Sequence, residues 1–280
     1  MTSTSKIAKR KQQELKLIDR VAIATRKAVI TGPAGARLLG LSTYSWIEQV
    51  DLVLPGCSNS WGTQRPYPDR VYRSAKITEQ EVSDYHGFRV ASLARCLFDS
   101  YRYHGRTEAL VQIESARWKH KDLSVKELLS RTSNITRGNG IREFEALIRY
   151  SCDTCQSPLE TLVRDAILQA MQDGTLTGIQ SIEHQVAFTI TDQYGEQTRA
   201  IVDVLLNGFI AIEADGAVKT SGEYGDEDTI TRSERHRERE LQNRGFVVLR
   251  VTWKDVTSGV FIQKLKRLLE MYPVPATRPA

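Results

Sequence analysis

Residues 201–216 read IVDVLLNGFIAIEADG, two apolar runs joined by Asn207-Gly208 and carrying three acids, Asp203, Glu213 and Asp215. Two β-strands around a tight turn are the natural reading. Acids inside such runs need a reason, because an unpaired buried carboxylate is costly and is usually paired, protonated or bound to a metal. The turn decides which face they occupy. A two-residue Asn207-Gly208 loop sets Asp203 against Ile212, sends Glu213 to the other face and scatters the apolar residues. A three-residue loop, Leu206-Asn207-Gly208 with a left-handed Gly208, sets Asp203 against Ala211 and brings Asp203, Glu213 and Asp215 to one face. Val202, Val204, Ile210, Ile212 and Ala214 then form an apolar face fit for a core. The three-residue loop is the expectation, with the small Ala211 beside Asp203 leaving room for an ion.

Oxygen-only ligands of this kind suit a hard divalent cation, Mg²⁺ or Mn²⁺, which would polarise a phosphodiester and activate a water. The alternative for Asp203 and Glu213 is an edge-strand pair facing solvent. Upstream, Ser157-Pro158-Leu159-Glu160 reads as a helix start, with Ser157 as N-cap and Pro158 at the first helical position. Glu160 is read either as a further carboxylate near the ion or as a capping acid at the positive helix end. Three strands are expected over residues 184–191, 199–206 and 209–215. A charged helix follows over 231–244, then a strand over 246–252 and an amphipathic helix over 260–272.

The chain has 280 residues, enough for two domains with separate cores. The boundary is expected near residue 152, giving domains 1–151 and 152–280. The first is expected to be mainly helical with a small sheet. It has an amphipathic helix over 7–27, a short helix in GPAGARLLGL that with the first could begin a winged helix-turn-helix, strands over 49–55, 70–73 and 88–90, and helices over 93–103, 107–120, 124–131 and 141–150. The fold class is therefore α/β (α+β).

No apolar run reaches the ~20 residues of a membrane helix, and the first residues lack a secretory core, so a cytoplasmic protein without a membrane partner is expected. Four cysteines, Cys57, Cys96, Cys152 and Cys155, are too few and scattered for a disulfide framework. Cys152 and Cys155 have half a zinc-ribbon spacing and are read as ordinary thiols. The net charge is +5, and residues 1–27 alone carry +6, from eight Lys/Arg against Glu14 and Asp19. That basic end, with Lys9, Arg10 and Lys11 together, is read either as a contact for polyanions or as a solvated helix. No GxSxG, P-loop or GxGxxG element is present, which argues against a serine hydrolase and nucleotide cofactors.

Four segments together resemble the PD-(D/E)XK superfamily, and within it the domain related to very-short-patch-repair (Vsr) endonucleases. They are SPLE (157–160), VDVLL (202–206), IEADG (212–216) and RHRERELQNRGFVVLRVTWKDV (235–256). The resemblance implies a restriction-endonuclease-like αβββαβ core. Its metal ligands would be Asp203, Glu213 and the main-chain carbonyl of Ala214, and its activity hydrolysis of nucleic-acid phosphodiesters, DNA first. The superfamily's lysine is replaced by Asp215, so Lys219 is read either as a migrated ammonium or as part of a flexible loop, since TSGEYGDED follows it directly. Arg232, Arg235 and Arg239 on the charged helix could line a phosphate-facing ridge, although interleaved acids equally make a solvated face. Segments 31–41, 51–55 and 87–102 are similar to AbiEi-type antitoxins. That likeness implies a DNA-binding regulator beside a toxin partner, and since nucleases of this superfamily that cut both strands often act as dimers, a homodimer is a further expectation. Two functions are thus expected to compete: a metal-dependent nuclease, and a non-catalytic DNA-binding regulator with a degenerate nuclease fold.

Overall fold

The structure, a computed structural model, describes residues 3–56, 67–192, 194–215 and 227–273, and of these the side chains of 3–6 and 227–234 fall outside the description. The chain is mixed α/β, and its contacts divide it into one unit of Ala8–Pro158 and another of Leu159–Ala280 with Met1–Ile7. Among the described residues no helix is long and apolar enough to cross a membrane.

Helix α1 (Ser3–Ala24), which belongs to the first unit from Ala8 onward, leads into β1 (Val29–Thr31) and α2 (Gly32–Leu38). The strands β2 (Val50–Val53), β3 (Arg70–Tyr72), β4 (Val82–Tyr85) and β5 (Phe88–Ala91) complete a mixed sheet ordered β3-β2-β1-β5-β4. β1 therefore occupies the middle of the sheet, where the sequence reading has only a turn between two helices. Three residues are too few to show alternation, and all three are buried. α1 packs Ile18, Val21 and Ala22 on this sheet and leaves Lys9 and Lys11 exposed. Gly32 cannot be replaced without movement: its φ is +60°, and a Cβ there would stand 2.7 Å from Asp51 Oδ2. Four helices follow, α3 (Leu93–His104), α4 (Arg106–Lys119), α5 (Val125–Ser133) and α6 (Ile141–Tyr150), around Leu97, Phe98, Leu110, Ile113 and Phe144.

Beneath the first sheet lies a charged network. Arg95 on α3 is 1% exposed, between Asp99 at 0% and Glu81 at 2%. It donates to Asp99 Oδ2 at 2.8 Å and to Glu81 Oε2 at 3.0 Å, while Thr31 donates to Asp99 Oδ2 at 2.7 Å. Burial pushes the Asp99 carboxyl above its ordinary range in spite of Arg95. At Glu81 burial also pushes upward, but hydrogen bonds from Thr136 and Thr78 and the charge of Arg95 outweigh it and hold the carboxyl below that range.

The second unit runs α7 (Pro158–Gln172), β6 (Ile182–Thr191), β7 (Gln197–Leu206), β8 (Ile210–Ala214), α8 (Glu227–Asn243), β9 (Val247–Val251), α9 (Trp253–Thr257) and α10 (Val260–Met271). Its sheet order is β6-β7-β8-β9, antiparallel except for the parallel pair β8/β9. α7 and α10 cover one face, packing Leu159, Val163, Phe261 and Leu265 on Val204, Leu206, Ile210 and Ile212. On the other face, Leu241 of α8 packs with Leu205 and Ala211. Short α9 is absent from the sequence reading although it carries a capping box, in which Thr252 and Asp255 each satisfy the other's N–H.

Candidate active site

The turn between β7 and β8 combines features of both loops weighed from sequence. Asn207 and Gly208 are both left-handed, with φ of 53° and 74°, and Phe209 N–H donates back to Leu206 O at 3.1 Å. Phe209 is then an extra residue, so Leu206 pairs with Ile210, Leu205 with Ala211 and Val204 with Ile212. The loop is thus Asn207-Gly208-Phe209 rather than Leu206-Asn207-Gly208, and Ala211 lies opposite Leu205, not Asp203. Asn207 supplies the reason. Its carboxamide accepts from Gln180 N at 2.7 Å and donates to Gly178 O at 2.9 Å, anchoring the left-handed turn at this position. The shift is by a whole side-chain period, so the apolar positions 204, 206, 210 and 212 still share a face.

Continued by one residue, this register sets Asp203 against Glu213, but the ladder stops before them. Instead the Ala214 N–H donates to the Asp203 carboxylate, Oδ2, at 2.8 Å. The β7/β8 ladder ends where the two acids stand.

Opposite Asp203 on β6 is Gln185, a residue that sequence reasoning missed. It stands between the pairs His184↔Val204 and Val186↔Val202, and its φ is 55°. A left-handed glutamine inside a strand is uncommon and is strained unless its surroundings hold it. What holds it is polar: its Nε2 donates to Glu160 Oε2 at 3.0 Å and lies 3.4 Å from Asp203 Oδ1. The residue also breaks the alternation of the sheet. Ile182 and Val204 belong to the α7/α10 side, whereas Val186, Phe188 and Val202 join the α8 side. Val202 therefore does not share the apolar face expected for it. No residue type announces such a break, which is why the sequence did not reveal it.

Glu160 is buried at the start of α7 and joins Asp203 through Gln185. Glu213 is buried on the α8 side, where Arg237 of α8 pairs with its Oε1. Arg237 precedes the buried Leu241 by one helical turn, a spacing that could have marked it as inward-facing. Asp215 is paired with Arg250 of β9 at 3.6 Å, and Arg250 also reaches Glu238 at 3.2 Å. Ala214 contributes its N–H to Asp203 as described. Lys219 lies outside the described residues, as does the side chain of Arg232. Arg235 and Arg239 are exposed on α8. On α1, Arg10 pairs with Glu48 at 3.1 Å and lies over the Trp46 ring.

The structure thus brings Glu160, Gln185 and Asp203 into one hydrogen-bonded chain. It also places Glu213 on the neighbouring strand, held by a guanidinium. The donors are carboxylate and amide oxygens, a set that suits a hard cation. The expected site does not draw three carboxylates into one tight cluster: among the described residues, the trio of His, Cys, Asp or Glu with ligand atoms all within 4.8 Å is Glu114, Cys152 and Cys155, far away in sequence. Comparison of the chain with family models, curated proteins and solved structures finds no match.

Proposed function

We propose that the second unit is a PD-(D/E)XK nuclease domain, related to the Vsr-like group, that hydrolyses nucleic-acid phosphodiesters, DNA first, with Mg²⁺ or Mn²⁺. The observation that carries this reading is the end of the β7/β8 ladder, where the Ala214 N–H donates to Asp203, Gln185 ties Asp203 to Glu160, and Glu213 stands on the neighbouring strand. The element order α7-β6-β7-β8-α8-β9 supports a restriction-endonuclease-like core.

In this reading Asp203, Glu213 and the Ala214 carbonyl hold the cation, and Glu160 positions the attacking water. A bound divalent ion supplies Lewis acidity and makes a water acidic enough to attack. Gln185 fixes Glu160 and Asp203 relative to each other, and the Ala214 N–H restricts rotation of Asp203. Both contacts limit the reorganisation that ligand binding would otherwise demand. Arg237 takes over the charge-stabilising part of the superfamily lysine, since Asp215 stands at that position and is itself paired with Arg250. Lys219 is the second cation assigned to that part. Arg235, Arg239 and Arg232, with Lys9, Arg10 and Lys11 on α1, contact the phosphate backbone. A homodimer follows if both strands of a duplex are cut.

One observation favours a second reading, a non-catalytic DNA-binding regulator or antitoxin that acts with a toxin partner. Glu213 is already neutralised by Arg237, and an acid replaces the usual lysine. Cleavage of plasmid and single-stranded DNA with Mg²⁺ or Mn²⁺ separates the two. Wild type is expected to cut only with metal, and Asp203→Ala and Glu213→Ala to fall to background. Salt-sensitive binding without cutting in all three proteins would select the regulator.

A further inference from the structure

Away from that site, the end of the first unit gathers a second set of ligand atoms. Cys152 and Cys155 follow α6, and their sulfurs are 3.5 Å apart. Glu114 projects from α4, and its Oε1 accepts the Cys152 N–H at 3.1 Å. One ligand atom from each of the three lies within 4.8 Å of the others. Glu114 is 0% exposed and Cys155 4%, whereas Cys152 is only half-buried.

We propose that Glu114, Cys152 and Cys155 bind one thiophilic divalent cation of the zinc class, with the fourth position open on the half-buried Cys152 side. The Cys-x-x-Cys spacing is that of a chelating pair, and two thiolates select zinc over magnesium. With Zn–S near 2.3 Å, a tetrahedral site needs its sulfurs about 3.8 Å apart, a small adjustment from the distance observed. Glu114 adds the argument against a plain disulfide. A carboxylate inside the protein gains from a cation beside it and gains nothing from an uncharged sulfur bridge. The surroundings already orient the ligands, since the Thr154 hydroxyl donates to Cys152 Sγ at 3.2 Å and the Cys152 main chain holds Glu114. The same segment is fastened to the α4 end by Arg117, which donates to Ser151, and by Lys121, which donates to Asp153 O at 3.1 Å. The cation completes that attachment.

The test is a titration of the full-length chain, reduced and kept free of oxygen, with Co²⁺ followed by Zn²⁺. A thiolate-to-cobalt charge-transfer band is expected to saturate at one ion per chain and to disappear as zinc displaces cobalt. Cys152→Ser and Cys155→Ser each lose the band, and Thr154→Val weakens cobalt affinity roughly tenfold. The Asp203→Ala, Glu213→Ala double variant keeps the band, because the carboxylate site has no sulfur. Absence of the band in reduced wild type, or its persistence in both cysteine variants, overturns the proposal. So does a protein purified in air whose mass is lower by a pair of hydrogens and whose reduced form takes up no cobalt, because the pair is then a disulfide.

Discussion

Two regions of this chain hold carboxylates against a mixed sheet, and they hold them by different means. In the first unit Asp99 and Glu81 share Arg95, backed by Thr31 and Thr136, and the strands around them keep regular extended geometry. In the second, Asp203 and Glu160 share the neutral amide of Gln185, Asp203 also takes a main-chain N–H, and the amide belongs to a left-handed residue within a strand. Fixed cations close the first arrangement and serve the fold. The second tolerates backbone strain to keep acids together, which is the pattern expected where structure serves a ligand.

The sharpest way to break this comparison is to remove the centre of each region. Arg95→Met leaves Asp99 and Glu81 buried without their cation and is expected to lower unfolding stability by about 3–5 kcal/mol. Asp203→Asn keeps the shape of its side chain and relieves a charge, so its stability is expected to stay within about 1 kcal/mol of wild type. Its metal-dependent cleavage is expected to vanish. Urea denaturation of both variants, with cleavage assayed on the second, decides the matter. Equal loss of stability in the two would make the second region as structural as the first.

This contrast explains what the sequence could reveal. The acids of β7 and β8 were legible because they interrupt apolar runs of known period, and the Asn-Gly turn limits the registers to a few. The period keeps Val204, Leu206, Ile210 and Ile212 on one face even though the loop itself is shifted, but it breaks at Val202, so the pattern alone does not fix the side on which Asp203 stands. β1 was not legible because Val29–Thr31 is too short to carry a period, nor was β4, where Val82–Tyr85 is polar and sits at the sheet edge. Gln185 was beyond reach for another reason. Its importance lies in a backbone angle set by Glu160 and Asp203, which lie 25 and 18 residues away.

A smaller effect sharpens the first half of the comparison. Glu81 is held below the ordinary carboxylate range, since its hydrogen bonds and Arg95 outweigh its burial. A depressed carboxyl contributes stability that is complete above its unfolded value and is lost as pH falls through the folded one. Glu81→Gln is therefore expected to cost about 1.5–3 kcal/mol at neutral pH, the range for hydrogen bonds to a charged group. The gap to wild type should close as the pH is taken down through the acidic range. Asp99, which burial raises, has the opposite sign and favours the folded state on protonation. Each pH therefore needs its own wild-type reference. Thermal unfolding at pH 7 and in the acidic range measures the gap, and a pH-independent difference would show that Glu81 acts through shape and not through charge.

The smallest effect tests the second half. Because Gln185 is left-handed, any L side chain there bears a cost of roughly 1–2 kcal/mol that glycine escapes. Gln185→Ala removes the amide and keeps the cost. Gln185→Gly removes both, but glycine also gives the unfolded chain more entropy, worth roughly 0.5–1 kcal/mol in a strand. The glycine variant is therefore expected to equal or exceed the alanine variant in stability, by up to about 1 kcal/mol, while both bind the metal more weakly than wild type. In an ordinary extended strand the ranking reverses, because glycine is then the poorer residue. Denaturation midpoints of the two variants side by side thus report the backbone conformation at the point where β6 meets Asp203. Metal titration of the same pair reports whether the amide is what keeps Glu160 and Asp203 in place.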